Sequence, residues 1–416
     1  MSRTTPERDV ATPPAVAPTE TRNRVLAHPA AFGAMTLVLV LFLAASAAPS
    51  PLYVVYQQEW GFSPSVLTGV FAVYVFGLLG SLLVVGALSD HVGRRPVLGA
   101  AIALEIVALV LFLVASDVEV LALARLLQGV ATGAAMTTLG AMLVDLAPEH
   151  APGRAGLVTS VAPVLGLALG SVVCGALVQF APAPTHLVYL LLLVGALVAG
   201  VLVAASPETS TRRPGARASL RPRVRVPSHL RADFVALAPV MIASWAVGGL
   251  YLSLGPSVAA GLLGLTDHLV GGFVVAALCG TGALTSLVVR RQPPARLVRV
   301  ATVLLALGML VSLVGVEQAA VWPTLVGTLV SGVGFGAAGL ATFGTLARIA
   351  GPDERGELFA AAFVVSYLAF SLPAVVAGVA TTRVGLHATV LGYGTTVAVL
   401  SLAALALQRL VERRPS

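Results

Sequence analysis

Twelve apolar runs, each about 20 residues long, constrain this 416-residue chain more than any other feature. A run of that length crosses the hydrocarbon core of a bilayer as a helix. Lipid offers no partner to backbone polar groups, so each run must bond its own N–H and C=O groups internally. The runs fall at 31–53, 65–88, 96–115, 120–146, 155–180, 186–205, 234–260, 268–289, 297–315, 321–348, 357–381 and 386–408. Charged residues make up only 10% of the chain and hydrophobic residues 57%. Soluble globular proteins carry about 25% charged residues, so that class is excluded. The sequence predicts an all-α membrane protein with twelve transmembrane helices.

The net charge of +7 comes from 25 arginines with no lysine. They are scattered between apolar runs and build no domain-sized basic face, so no nucleic-acid partner is expected. With the N-terminus inside, all of them except Arg125 and Arg383 fall in the tails or in the loops on the inner side. This asymmetry predicts that both termini are cytoplasmic, and the expected location is the bacterial plasma (inner) membrane, as a multi-pass protein. Residues 1–28 are polar and read as a disordered cytoplasmic tail. The stretch FLAASAAPS resembles a signal-peptide cleavage site, but the long polar leader and the continuation through PLYVVY predict that the first run is retained. Cys174 and Cys279 each stand alone in an apolar run. They read as packing residues, and no metal site or cofactor is expected, because a metal needs clustered ligands.

The longest polar interruption, SPETSTRRPGARASLRPRVRVPSHLRA over 206–232, divides the runs six and six. The expected units are the tail 1–28, an N-terminal six-helix bundle 29–205, a cytoplasmic linker 206–232, a C-terminal six-helix bundle 233–410 and a tail 411–416. The halves echo each other at an offset of about 200 residues. GFSPSVLTG at 61–69 faces GLTDHLVGG at 264–272, with Ser63 and Thr266 as the expected N-caps. GRAG at 153–156 faces ERGE at 354–357, and Pro163 and Pro373 fall in the fifth and eleventh runs, where a proline would kink a helix.

Two motifs carry a family resemblance. GALSDHVGRRP, between the second and third runs, resembles the G-x-L-S/T-D-x-x-G-R-R signature of the major facilitator superfamily. Gly86, Leu88, Asp90, Gly93, Arg94 and Arg95 match, whereas His91 stands where a constant positive charge is usual. RLLQGVATGA at 125–134 is similar to the fourth-span R-x-x-Q-G-x-x-x-G-A pattern, through Arg125, Gln128, Gly129 and Gly133. Within the superfamily the chain resembles the drug:proton antiporter branch. GLALGSVVCG at 166–175 fits that branch's glycine-rich fifth span only in part: Gly166, Gly170 and Gly175 match, while Ser171 and Cys174 replace a proline and a glycine. Packing of small residues accounts for the same stripe.

The resemblance implies two pseudo-symmetric six-helix bundles rocking about a midplane site. It implies that Asp90 faces the start of the eleventh span near Gly356 and Glu357, and that Arg94 pairs with Asp145. Those contacts would latch the halves together in the outward-open form. A helix N-terminus favours an anion by about 0.3–1 kcal/mol. The other reading is that Asp90, Arg94 and Arg95 are loop charges that set topology.

Arg125 and Glu105 are the charges deepest in the runs, where a central charge costs about 2.5–3.5 kcal/mol on insertion scales. Arg125 reads as a residue tuning proton exchange or holding an anionic part of a substrate, or else as a snorkelling side chain. Glu105 reads as a proton carrier or as a neutral, hydrogen-bonded structural acid. Tyr53, Tyr56, Gln57, Trp245, Tyr251 and Ser253 stand at positions the superfamily fold puts near a central cavity. Neither the first nor the seventh run holds an acid, so a neutral or amphipathic substrate is expected over a strong cation.

The function expected is secondary transport of a small molecule, coupled to protons and directed to efflux of a drug-like or amphipathic metabolite, by a monomer in the bilayer. One charge crossing 100 mV gains about 2.3 kcal/mol, enough for about fiftyfold accumulation. Proton-coupled uptake of a metabolite is the first alternative, and a transporter-like membrane sensor is the second. No G-x-x-x-x-G-K-S/T loop is present for ATP, and the runs hold no convergent reactive groups of an enzyme.

Overall fold

The computed structural model describes residues 26–412 apart from Pro152, Pro352 and Asp353. The tail expected over 1–28 lies almost wholly outside them, and the tail expected over 411–416 lies outside from residue 413. Among the described residues, twelve helices are long and apolar enough to cross a membrane. They are α1 (His28–Trp60), α2 (Pro64–Val85), α3 (Arg94–Val114), α4 (Val118–Asp145), α5 (Gly153–Phe180) and α6 (Pro184–Ala205) in one half. The second half comprises α7 (Ser228–Ser253), α8 (His268–Val289), α9 (Pro294–Glu317), α10 (Val321–Ile349), α11 (Arg355–Val384) and α12 (Leu386–Leu407).

Helix ends follow local chemistry. α1 runs past the expected end at 53 and stops only where Gly61 takes a φ of +68°. It is built in two pieces that meet at Ala48, and Pro49 opens the second. The seventh run, expected over 234–260, divides before Gly255 and Pro256 into α7 and a short helix, Gly255–Gly261. Ser63 caps α2 by accepting the Val66 N–H at 3.4 Å. The expected cap Thr266 does not cap α8: Asp267 holds the N-cap position, and the His268 N–H is taken by Gln179 Oε1 of α5 at 2.9 Å. Pro163 and Pro373 lie inside α5 and α11.

One packing plan builds both halves. RLLQGVATGA in α4 recurs 203 residues later as TLVSGVGFGA in α10. Gly129 and Gly133 press on the backbone of α2 at Tyr74 and Leu78. Gly332 and Gly336 press in the same way on α8 at Leu278 and Gly282. A Cβ at any of the four would overlap the facing backbone, so small residues let the helices close.

The halves meet along two seams, α2 with α11 and α5 with α8. Gly378 of α11 lies on Thr68 of α2, and Gly272 of α8 lies on the Ser171 backbone of α5. The Phe71 and Phe370 rings meet at 5.1 Å across the first seam. These contacts sit in the half of the molecule away from the arginine-bearing loops.

Candidate functional site

A proline in α1 explains why α4 carries an arginine and a glutamine at its core. Pro49 has no N–H, so the Ala45 carbonyl one turn earlier loses its helical partner. In a membrane interior that carbonyl must be satisfied by protein. Gln128 Nε2 donates to it at 3.2 Å, and Arg125 Nη1 donates to the next carbonyl, Ser46 O, at 3.0 Å. The same Gln128 amide joins two charged residues: its oxygen accepts from Arg125 Nη1 at 2.6 Å, and its nitrogen donates to Glu105 Oε1 at 3.1 Å. Glu105 and Arg125 are 3% and 1% exposed, and Glu105 is the only buried acid among the described residues.

Aromatic rings and hydroxyls complete the niche. The Arg125 guanidinium lies 4.2 Å from the Tyr74 ring centre and 5.9 Å from that of Tyr53. This geometry lets the ring faces stabilise the cation. Tyr74 donates to Ser46 Oγ at 2.8 Å, and Ser46 donates to Phe42 O at 2.8 Å. Three buried atoms of this niche have no hydrogen-bond partner: Glu105 Oε2, Arg125 Nε and the Tyr53 hydroxyl. A carboxyl with one oxygen unspent can take up a proton without breaking its bond to Gln128. Doing so would leave the Arg125 charge uncompensated beside the break in α1.

The first hairpin folds onto the linker. Gly93 takes a φ of +109°, a conformation that L side chains rarely adopt. A Cβ there would also lie 2.9 Å from Glu208 Oε2. Glu208 accepts the Arg94 N–H at 2.8 Å and the Arg95 N–H at 3.0 Å, which caps the open N-terminus of α3. The Arg94 side chain is buried and pairs with Asp90, with Ser89 Oγ at 2.7 Å and with Asp145 at 3.4 Å. Thr209 donates to Asp145 at 2.8 Å, and the Arg213 N–H donates to His91 O at 2.9 Å. Arg95 turns to Ala204 O. Gly86, at the end of α2, faces Thr137 of α4.

Asp90 does not meet the start of α11 as the resemblance implied. Its side chain is 53% exposed and pairs with Arg94, while a Cβ on Gly356 would meet no atom within 4 Å. The seams join this conformation at the opposite end, and among the described residues no hydrogen bond or ion pair links the hairpin to α11.

The six residues expected around one central cavity occupy separate places. Tyr53 lies under Arg125, and Tyr56 donates to the Tyr189 hydroxyl of α6 at 3.3 Å. Gln57 donates to Phe62 O at 3.1 Å, and Ser253 to Gly249 O at 2.6 Å. Tyr251 points into the C-terminal half, toward Thr328 Oγ1 at 2.9 Å. Trp245 alone of the six packs edge-on against rings of the seam helix α11, 4.8 Å from Tyr367 and 5.8 Å from Phe370. There it joins a ladder that the sequence reading missed: Phe359, Phe363, Tyr367 and Phe370, spaced at helical intervals on one side of α11. The Phe359 and Phe363 rings stand 6.4 Å apart, and those of Phe363 and Tyr367 6.2 Å. Tyr367 reaches across the halves to Met136 Sδ at 3.8 Å. The signal was the i, i+4, i+8 spacing within ELFAAAFVVSYLAF.

Comparison with known proteins decides the family. The family description "Major Facilitator Superfamily" matches residues 35–374. The chain belongs to the major facilitator superfamily. The twelve apolar helices are those of a multi-pass membrane protein of this superfamily. Among curated superfamily members, the chain is similar to paaT, an MFS-type transporter of Penicillium rubens: 31% identity over 153 residues, covering 36% of this chain and 28% of the relative. It is similar to the 4-hydroxybenzoate transporter PcaK of Pseudomonas aeruginosa, with 31% identity over 186 residues, 45% of this chain and 40% of the relative. It thus spans less than half the length of these relatives. Among solved superfamily structures, the human organic anion transporter MFSD10 superposes with a TM-score of 0.69 at 18% identity, over 92% of this chain and 100% of that one. The inward-open xylose transporter XylE from E. coli superposes with a TM-score of 0.73 at 17% identity, over 91% and 96%. At these identities the structures share the superfamily fold.

Proposed function

We propose that this transporter couples protons to the movement of small aromatic or amphipathic molecules, in the efflux direction, by alternating access. It works as a monomer in the bacterial plasma membrane, with the arginine-bearing loops and both termini in the cytoplasm. One observation carries the reading: Glu105, the only buried acid among the described residues, shares the Gln128 amide with Arg125, which holds the break in α1. A proton on Glu105 changes the charge of that niche and so the hold of Arg125 and Gln128 on α1. The aromatic ladder of α11 supplies ring faces for the substrate. Asp90, Arg94, Arg95 and Asp145 close against the start of α11, at Gly356 and Glu357, when the opposite seams open.

The decisive experiment adds a panel of drugs and aromatic metabolites to energised everted vesicles containing a pH-sensitive dye. Antiport alkalinises the lumen as substrate enters. Glu105→Gln retains the bond to Gln128 yet carries no proton, so counterflow of substrate persists while the dye response disappears. A proton response from Glu105→Gln equal to wild type would refute the coupling role. A second reading, uptake of an aromatic acid with protons, draws on the similarity to a 4-hydroxybenzoate transporter. In the same vesicles it gives acidification on addition of 4-hydroxybenzoate.

A further inference from the structure

The C-terminal half contains a cavity of about 330 Å³, within the size range of small-molecule sites. Its lining comes from α7, the short helix Gly255–Gly261, α8, α9, α10 and one residue of α12, so it is separate from the seams between the halves. Among the described residues, no charged side chain lines it. Its walls are apolar, among them Phe273, Val274, Met309, Leu313 and Val316. Phe273 is 53% exposed and Val321 37%, so the cavity opens where apolar side chains face the bilayer.

The floor is a hydroxyl cluster whose protons are already committed. Thr328 donates to Thr324 O at 2.8 Å. The Tyr251 hydroxyl, 2.9 Å from Thr328 Oγ1, therefore donates to it, and Ser312 Oγ stands 3.3 Å from Tyr251. A hydroxyl oxygen has two acceptor sites, so the cluster presents spare acceptors and no spare donor from Thr328 or Tyr251. An anion finds nothing there to hold it, and a cation finds no countercharge. The internal repeat puts different residues at these positions in the other half. Thr328 and Ser312 stand where the N-terminal half has Arg125 and the fully buried Leu109.

We infer that this cavity is a second ligand site, entered from the bilayer, for an uncharged amphiphile that donates one hydrogen bond from a compact hydrocarbon body: an alkylphenol. The phenol O–H points down to Tyr251 and Ser312, and the alkyl ring lies among Phe273, Met309 and Leu313. The site does not rest on the proposed transport reaction. It binds whether or not protons are coupled.

The test uses the full chain in lipid nanodiscs, photolabelled with a diazirine-bearing 4-propylphenol and mapped by mass spectrometry. Label is expected on the lining residues Phe273, Val274, Ala277, Met309, Leu313 and Val316, and excess 4-propylphenol removes it. Propylbenzene, which lacks the hydroxyl, competes roughly three- to tenfold more weakly, the loss of one neutral hydrogen bond. Thr328→Val, which keeps the shape of the floor but frees the Tyr251 proton, alters that ratio. Ala277→Phe fills the cavity and abolishes the label. Label spread over lipid-facing residues such as Leu310, Val314 and Trp322, without competition by the phenol, overturns the site. So does unchanged labelling in an Ala277→Phe protein that elutes as wild type. Equal competition by propylbenzene, or a phospholipid that co-purifies and is not displaced by the phenol, overturns the assignment of the ligand.

Discussion

The two halves share a packing plan yet treat the same position in opposite ways. In the N-terminal half, α3 and α4 stand far enough apart to hold Glu105 and Gln128 between them, with Arg125 beside the broken α1. In the C-terminal half the corresponding residues, 203 later, are Gly308, Ser331 and Thr328. There α9 closes on α10 so tightly that a Cβ on Gly308 would overlap the Ser331 backbone nitrogen. One half spends its interior on charge and the other on close packing and an uncharged cavity. A repeat therefore preserves helix contacts through Gly129, Gly133, Gly332 and Gly336 while its chemistry diverges between them.

Moving the charge to the other half gives the largest expected effect. Gly308→Glu forces α9 off α10 and costs upward of ~3 kcal/mol by overpacking; loss of a monodisperse peak in size-exclusion chromatography is the readout. Arg125→Ala comes next. It removes the donor to Ser46 O and leaves Glu105 without a countercharge, so substrate flux in vesicles is expected to fall more than about tenfold, a 1.4 kcal/mol change in barrier or more. Gln128→Leu strips the Ala45 carbonyl and Glu105 of their donor. Interhelical hydrogen bonds in membranes are worth about 0.6–1.7 kcal/mol each, and the shift shows in thermal unfolding in detergent. Pro49→Ala restores a backbone N–H to Ala45 O, so the double variant with Gln128→Leu recovers part of that loss. Full additivity of the two changes would break the link between the proline and the α4 glutamine. Glu208→Gln should act least, weakening the cap on α3 by about 0.3–1 kcal/mol, with thermal unfolding again the measure.

Span number, the division into halves and the family resemblance were legible because they rest on strong local signals. Runs of about 20 apolar residues admit one structure in lipid, and GALSDHVGRRP is a long motif. The α1 break was present in Pro49 and Pro51, but its consequence needed a third dimension: only packing shows that Gln128 answers the carbonyl freed by Pro49. Glu105 was recognised as a deep acid, yet its partner lies 23 residues away on another helix. The cavity-lining expectation scattered for a different reason. Tyr53, Tyr56 and Tyr251 are amphipathic, and periodicity does not say whether a hydroxyl turns toward the cleft or into its own bundle. Asp90 depends on conformation, which a sequence encodes as alternatives.

The manner in which Glu208 and its neighbours hold the hairpin bears on how this protein can be engineered. Bonds from the linker to the N-terminal half extend from Glu208 to Pro214, and those to the C-terminal half begin at Arg225, whose N–H reaches Glu357 O at 3.5 Å. A fluorescent reporter or protease site spliced between Leu220 and Arg223, past the short helix Ala216–Ser219 that rests on the hairpin, would sit between two anchored ends. The same cassette placed at Ser206–Thr211 would unseat the start of α3.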